Sequence, residues 1–272
     1  MVRQTLALAL TAFALTGCLK DKMVFHVHGD GSATIKRTSW KLKSELSDPV
    51  KTWKELESDE DRANYIVDTS EQAGVSWTDH VGRVDGESII VTSTGYTRDV
   101  GKYAQVKTNA KTKETEKPVS IVVKKDGDKR TLELIFDQSK KAGPGGEAPK
   151  MTEEQKKQRL AMMKKMMGSM LKGLELTFEF HLPGKITKVS GFKKLSADSC
   201  RLVIDEKSFW DFVPDNADGK MVCSVSWTNK GAAPTGFDAK AKAAEESWPK
   251  RVEEVEAWQK AWLEKALAED DE

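Results

Sequence analysis

His26 and His28 stand two residues apart in "FHVHGDG", so on an extended strand both imidazoles project to one side, with Asp30 close behind. Imidazoles and a carboxylate are donors that zinc and copper accept. The other two histidines, His80 and His181, are distant in sequence, and no spacing completes a known metal motif. The pair is therefore read as hydrogen-bonded or solvated, and no metal is expected. Cys200 and Cys223 are the next candidates. On alternating strands Cys200 shares a face with Leu202 and Ile204, and Cys223 with Met221, Val225 and Trp227, so both thiols point toward a core. A disulfide between them is one reading, and two inert buried thiols the other. Gly-x-Ser-x-Gly, His-Glu-x-x-His, P-loop and dinucleotide fingerprints do not occur, so no catalytic residue and no cofactor is expected.

Alternation supplies the elements that must position these side chains. Residues 23–40 alternate on both sides of Gly29-Asp30-Gly31, the pattern of a β-hairpin. Further strands are expected at 75–84, 87–95, 119–125, 130–137, 174–182, 185–190, 200–205 and 221–228, with turns at Asp85-Gly86 and at Asp126-Gly127-Asp128. Residues 96–106 read as a loop with a short helical turn. Helices are expected at 47–57 and 59–73, the second capped by Ser58 with Asp61 and ended by Gly74. Residues 140–149 hold too many Gly and Pro for regular structure. There is no βαβ rhythm, so the class is α+β, a mainly antiparallel sheet with packed amphipathic helices.

Two helical stretches stand out. "MTEEQKKQRLAMMKKMMGSMLKGL" opens with a capping box, Thr152 and Gln155, and should run to Lys172 before Gly173. Leu160, Met163, Met167, Met170 and Leu171 form one stripe, widened by Met162 and Met166, opposite Lys157, Lys164, Lys165 and Lys172. Met163, Met167 and Met170 are the candidate apolar contact surface, since flexible methionines fit partners of variable shape. Core packing and contact with an anionic membrane are the other readings. The terminal helix, from Ser247 to Ala268, places Trp248, Val252, Val255, Trp258, Trp262 and Ala266 on one face, suited to packing on the sheet or to an external partner.

The chain of 272 residues carries 44 Lys and Arg against 43 Asp and Glu, so it has no basic excess to recruit nucleic acid. Its N-terminus is the informative end. Arg3, an apolar run from Leu6 to Leu15 and a small-residue pair have the layout of a secretory signal. A run this short cannot cross a hydrocarbon core that needs roughly 20 residues. Leu15-Thr16-Gly17-Cys18 resembles the lipobox of bacterial lipoproteins. That resemblance implies cleavage after Gly17 and a diacylglycerol thioether on Cys18, with further acylation by palmitate-like chains, which together anchor stably. It also implies that Leu19, in place of Asp, favours the outer membrane.

"FHVHGDGSATIKRT", "MMKKMMGSMLKGLELTFEFHLPGKITKVSG" and "SADSCRLVIDEKSFWDF" resemble bacterial lipoproteins related to the LppM domain. This resemblance implies an exported, lipid-anchored antiparallel sheet with packed helices, and it carries no catalytic residues. The expected plan is a signal peptide at 1–17, a lipidated N-terminus at 18–22, an envelope domain at 23–229, a linker at 230–246 and an amphipathic helix at 247–272. The expected function is a non-catalytic binding or structural domain on the envelope. It would be held to the membrane through Cys18, face the periplasm, and take an apolar ligand or a partner protein. A periplasmic hydrolase with an unrecognised active site is the alternative.

Overall fold

Gly29-Asp30-Gly31 turns the chain through the hairpin that the alternation predicts, joining β1 (Cys18–Val27) to β2 (Ala33–Leu42). The computed structural model describes residues 18–42, 58, 61, 64, 72–85, 88–108, 115–137, 152, 154–155, 158, 161–162, 164–165, 171–212 and 219–269. The chain continues through β3 (Gln72–Ala73), β4 (Ser76–Asp85), β5 (Ser88–Thr97), β6 (Ala104–Thr108), β7 (Thr115–Asp126) and β8 (Lys129–Asp137). It then forms β9 (Glu175–His181), β10 (Ile186–Ser190), β11 (Lys193–Lys194), β12 (Ser199–Asp205), β13 (Lys220–Thr228) and the helix α1 (Phe237–Glu269).

These strands make two sheets. One has the order β11-β12-β9-β1-β2-β5-β4, the other β10-β13-β8-β7-β6-β3. β1 and β9 run parallel, with Lys20 opposite Glu175 and His26 opposite His181. Every other pairing among the described residues is antiparallel. Period-2 alternation gives each long strand one apolar side, and those sides meet in a shared core that includes Phe25, Leu134, Phe178 and Trp227. Phe136 of β8 meets Phe178 of β9 edge-on at 5.8 Å between centroids. Phe25 stacks on Phe180 at 4.8 Å and takes the edge of Tyr103 at 5.3 Å. The two sheets are thereby locked face to face. At one margin of this core Arg37 donates to Asp21 Oδ2 from Nε at 2.9 Å and from Nη2 at 2.7 Å.

α1 lies against β4 and β5, burying Phe237, Ala241, Ala244 and Val255. Arg98, just past β5, holds it through Asp238 and Glu245, each at 2.7 Å. Trp248 stacks on His80 at 5.2 Å. Farther along, Trp258 Nε1 donates to Asp61 Oδ1 at 3.0 Å.

The described residues are mostly β, and α1 is the one long helix among them, so packed amphipathic helices in the plural are not seen there. α1 starts at Phe237, ten residues before the expected start, so 237–246 is helix, and Pro249 lies inside it. A proline there removes one main-chain donor and crowds the carbonyl four residues back, and the face buried on β4 and β5 offsets that cost. Residues 72–73, expected as the end of a helix, form β3, although Gly74 does take the positive φ of 80° expected of it. The Ser58–Asp61 cap is present: Ser58 Oγ donates to Asp61 Oδ2 at 2.7 Å and accepts from Asp61 N at 3.0 Å. The expected helix at 47–57, the irregular stretch at 140–149 and the signal segment 1–17 lie outside the described residues.

Of the two readings for Cys200 and Cys223, the structure has the buried free thiols and not the disulfide. β12 and β13 are not neighbours but belong to different sheets, with Cys200 opposite Phe180 and Cys223 opposite Leu134.

Candidate functional site

The side of the seven-stranded sheet turned away from the core carries an organised group of charged side chains. Register builds it. Arg201 of β12 lies opposite Glu179 of β9, His181 opposite His26 of β1, and His26 opposite Thr34 of β2. Glu179 Oε1 accepts a hydrogen bond from His181 Nε2 at 2.8 Å. Its Oε2 accepts from Arg201, with Nε at 3.0 Å and Nη2 at 2.8 Å, and Lys22 Nζ stands 3.8 Å away. A carboxylate has no proton to give, so His181 carries its hydrogen on Nε2. The His26 ring stacks on that of His181, centroids 4.6 Å apart and planes 17° from parallel.

Electrostatics fixes the charge states. Burial tends to raise the Glu179 pKa, but hydrogen bonds from His181 and Arg201, with the charges of Arg201 and Lys22, outweigh it and hold the group below its usual range. Burial lowers the His26 pKa, and His181, Lys36 and His28 push the same way against Glu179. With both oxygens engaged and its carboxylate form favoured, Glu179 is poorly suited to take a proton from a substrate. Around it, Lys22, Lys36, Lys193 and Arg201 share the same side of the sheet by register. Such a surface is suited to receiving acidic groups from a partner.

The structure separates the histidines that the sequence pairs. His28 falls beyond β1, in the hairpin turn, where its Nδ1 bonds Ser32 Oγ at 2.9 Å and its ring meets Phe237 edge-on at 4.9 Å. Ser32 in turn donates to Asp30 Oδ1 from its hydroxyl at 2.7 Å and its main-chain N at 2.9 Å. A serine, a histidine and an aspartate are thus in contact, but in the wrong order for acyl transfer. The hydroxyl proton goes to Asp30 and the imidazole donates to the hydroxyl, so no base is set to draw a proton from Ser32. The array closes the turn. Among the described residues no group of three or more His, Cys, Asp or Glu could hold a metal ion.

Met163, Met167 and Met170 lie outside the described residues. Their neighbours are informative. The Thr152–Gln155 capping box forms reciprocally, with Thr152 N donating to Gln155 Oε1 at 2.9 Å and Gln155 N to Thr152 Oγ1 at 3.2 Å. Met162 is 66% exposed, and Lys164 Nζ stands 5.8 Å over the Trp210 ring. Cys18 is the first residue of β1, opposite Lys41. Burial pushes the Cys200 thiol up to about 12 and the Cys223 thiol to about 11. Sequence reasoning missed Glu179 and Arg201. Their alternation was readable, but the β1–β9–β12 adjacency that joins them was not.

No family model matches the chain, and no curated protein matches it. Among solved structures it is similar to the folded domain of the Mycobacterium tuberculosis LppM protein, determined by NMR, at 11% identity and a TM-score of 0.33. That match covers 79% of this chain and 90% of the other. A likeness this loose carries no residue role across.

Proposed function

We propose that this chain is a lipid-anchored protein of the bacterial cell envelope, exported by its N-terminal signal and held to the membrane through a lipidated Cys18. In this reading it sits on the outer membrane facing the periplasm. It acts as a non-catalytic binding domain that presents the open side of the seven-stranded sheet to a partner protein. The observation that supports the anchor is the start of β1. The strand begins at Cys18, the residue that the lipobox-like stretch would make N-terminal, so cleavage after Gly17 leaves all of β1 intact. The side chains around Glu179 support the binding role, because they are held in fixed positions on an open surface.

Detergent phase partitioning of the full chain and of Cys18→Ser, combined with a photo-crosslinking residue at Thr34, tests both parts. The unaltered chain should enter the detergent phase and the variant should not. Cross-linking from Thr34 in intact cells should give one discrete protein adduct. A Cys18→Ser chain that is cleaved and still enters the detergent phase refutes the anchor. An anchored chain that gives no adduct refutes the partner surface.

A further inference from the structure

We infer that the open side of the seven-stranded sheet receives an extended acidic segment of the partner protein, laid across the strands from Lys193 to Lys36. The inference rests on the partner surface proposed above and names what that partner must present. Register puts Lys193 of β11, Arg201 of β12, Glu179 of β9, Val24 of β1 and Lys36 of β2 in a single row on one side of the sheet. The row on one flank holds His181, His26 and Thr34, and the row on the other holds Val203, Thr177, Lys22 and Thr38. Across these five strands the three rows carry Lys193, Arg201, Lys36 and Lys22 against a single carboxylate, Glu179. That carboxylate is already engaged by Arg201 at 2.8 Å and by Lys22 at 3.8 Å. Lys36 and Lys193 are exposed, and among the described residues neither has an ion-pair partner. The row thus has an internally neutralised centre with an unpaired cation on each side of it.

Charge and spacing select the occupant. The whole chain has 44 Lys and Arg against 43 Asp and Glu, so the positive excess is local to this face. Neighbouring strands lie about 4.8 Å apart, which places the main chains of Lys193 and Lys36, four intervals from each other, about 19 Å apart. A lone carboxylate or phosphate would meet both only if the two lysines lay flat over the engaged centre. An extended stretch of about six residues, at about 3.3 Å each, spans the distance by itself. Val24, half-buried in the row, gives such a stretch an aliphatic floor between its acidic ends. A bilayer is disfavoured by position, because Val24 lies six residues along β1 from Cys18, about 20 Å from the lipidated residue.

The test has two arms. In the first, a dye-labelled, end-blocked hexapeptide of four glutamates and two valines is titrated into the full chain in neutral detergent, beside its glutamine analogue. The glutamate peptide should bind and the analogue should not, and binding should vanish in 1 M salt, where the screening length falls to about 3 Å. An exposed ion pair contributes up to about fivefold in affinity, so K36Q/K193Q should weaken binding about tenfold. K129Q/K188Q makes the same charge change at exposed lysines of the six-stranded sheet and should leave binding unchanged. In the second arm, the adduct from a photo-crosslinking residue at Thr34 in intact cells should fall in K36Q/K193Q and persist in K129Q/K188Q. Equal binding of the two peptides, or equal binding by the two double variants, overturns the inference. Failure of the glutamate peptide to bind, while phosphatidylglycerol vesicles capture the unlipidated Cys18→Ser chain, gives the row to a bilayer and also overturns it. An adduct that persists unchanged in K36Q/K193Q overturns the inference and leaves the partner surface standing. No adduct from the chain with both lysines in place refutes that surface, and this inference with it.

Discussion

His26 and His181 lie face to face across the parallel β1–β9 pair, 4.6 Å between ring centroids, and one of them is bound to Glu179. Burial disfavours the charged form of His26, and the neighbouring His181 adds to that effect.

The consequence is a pH-dependent stability with a definite sign. A histidine whose folded pKa lies below its ordinary 6.5 binds fewer protons folded than unfolded, so stability falls as pH drops through and below 6.5. The charged groups acting on His26 are His181, Lys36, His28 and Glu179. Thermal melts of the unaltered chain should show a falling Tm from pH 7 to pH 5, and His26→Gln should flatten that slope. An unchanged slope would assign the effect to another group, with His28, also lowered by burial, the next to substitute.

Asp21 and Arg37 give a second prediction. Both side chains are about nine-tenths buried, and Arg37 reaches Asp21 Oδ2 through two nitrogens. Removing one partner of a buried pair leaves the other charge in a poorly solvating site and costs about 3–5 kcal/mol. Asp21→Ala should therefore shift urea unfolding by about that amount. The double variant Asp21→Leu with Arg37→Met should recover most of it. Additive losses would mean that the two groups are not coupled.

Gly29 gives a third. A methyl group there would run into the carbonyl of Gly231, while Asn229 Nδ2 already donates to Gly29 O at 2.8 Å. The hairpin turn and the start of the 230–236 connection are packed main chain to main chain. Gly29→Ala should destabilise the fold by about 1–3 kcal/mol, the range for overpacking. Gly31→Ala, which has open space but a φ of 98°, should cost less than a collision and act through backbone strain. Chemical denaturation of the two variants compares them directly.

The cysteines give a fourth. With thiols pushed up to about 12 and about 11, neither Cys200 nor Cys223 should react with iodoacetamide at pH 8 in the folded chain. Unfolding without reductant should then expose two thiols per chain. None labelled would mean that a disulfide had formed after all.

Much of the sandwich was legible because alternation is local. The hairpin at Gly29-Asp30-Gly31, the β7–β8 turn at Gly127 and the Thr152–Gln155 cap all follow from residues a few positions apart. Adjacency of distant strands was not legible, and that is where the readings failed. Cys200 and Cys223 have the apolar neighbours of a core pair, yet nothing local says that β12 and β13 enter different sheets. The Glu179 group escaped for the same reason, since Lys22, Glu179 and Arg201 sit on three strands whose order only the fold supplies. The start of α1 was misplaced because Pro249 and the alanine-rich stretch before it lack the apolar spacing that marks the Trp248–Trp262 face.

The parallel neighbour of β1 also imposes an order of events on biosynthesis. A chain under synthesis emerges N-terminus first, and β1 and β2 can pair as soon as residue 42 is free. The other edge of β1 has no native partner until Glu175–His181 arrives, much later in synthesis. Through that interval one edge of the sheet's interior strand presents unpaired main-chain groups to every other nascent chain nearby. Closing it requires a long-range contact, which is slow to form. The stage at which this protein most needs a holding chaperone is therefore between release of β2 and release of β9.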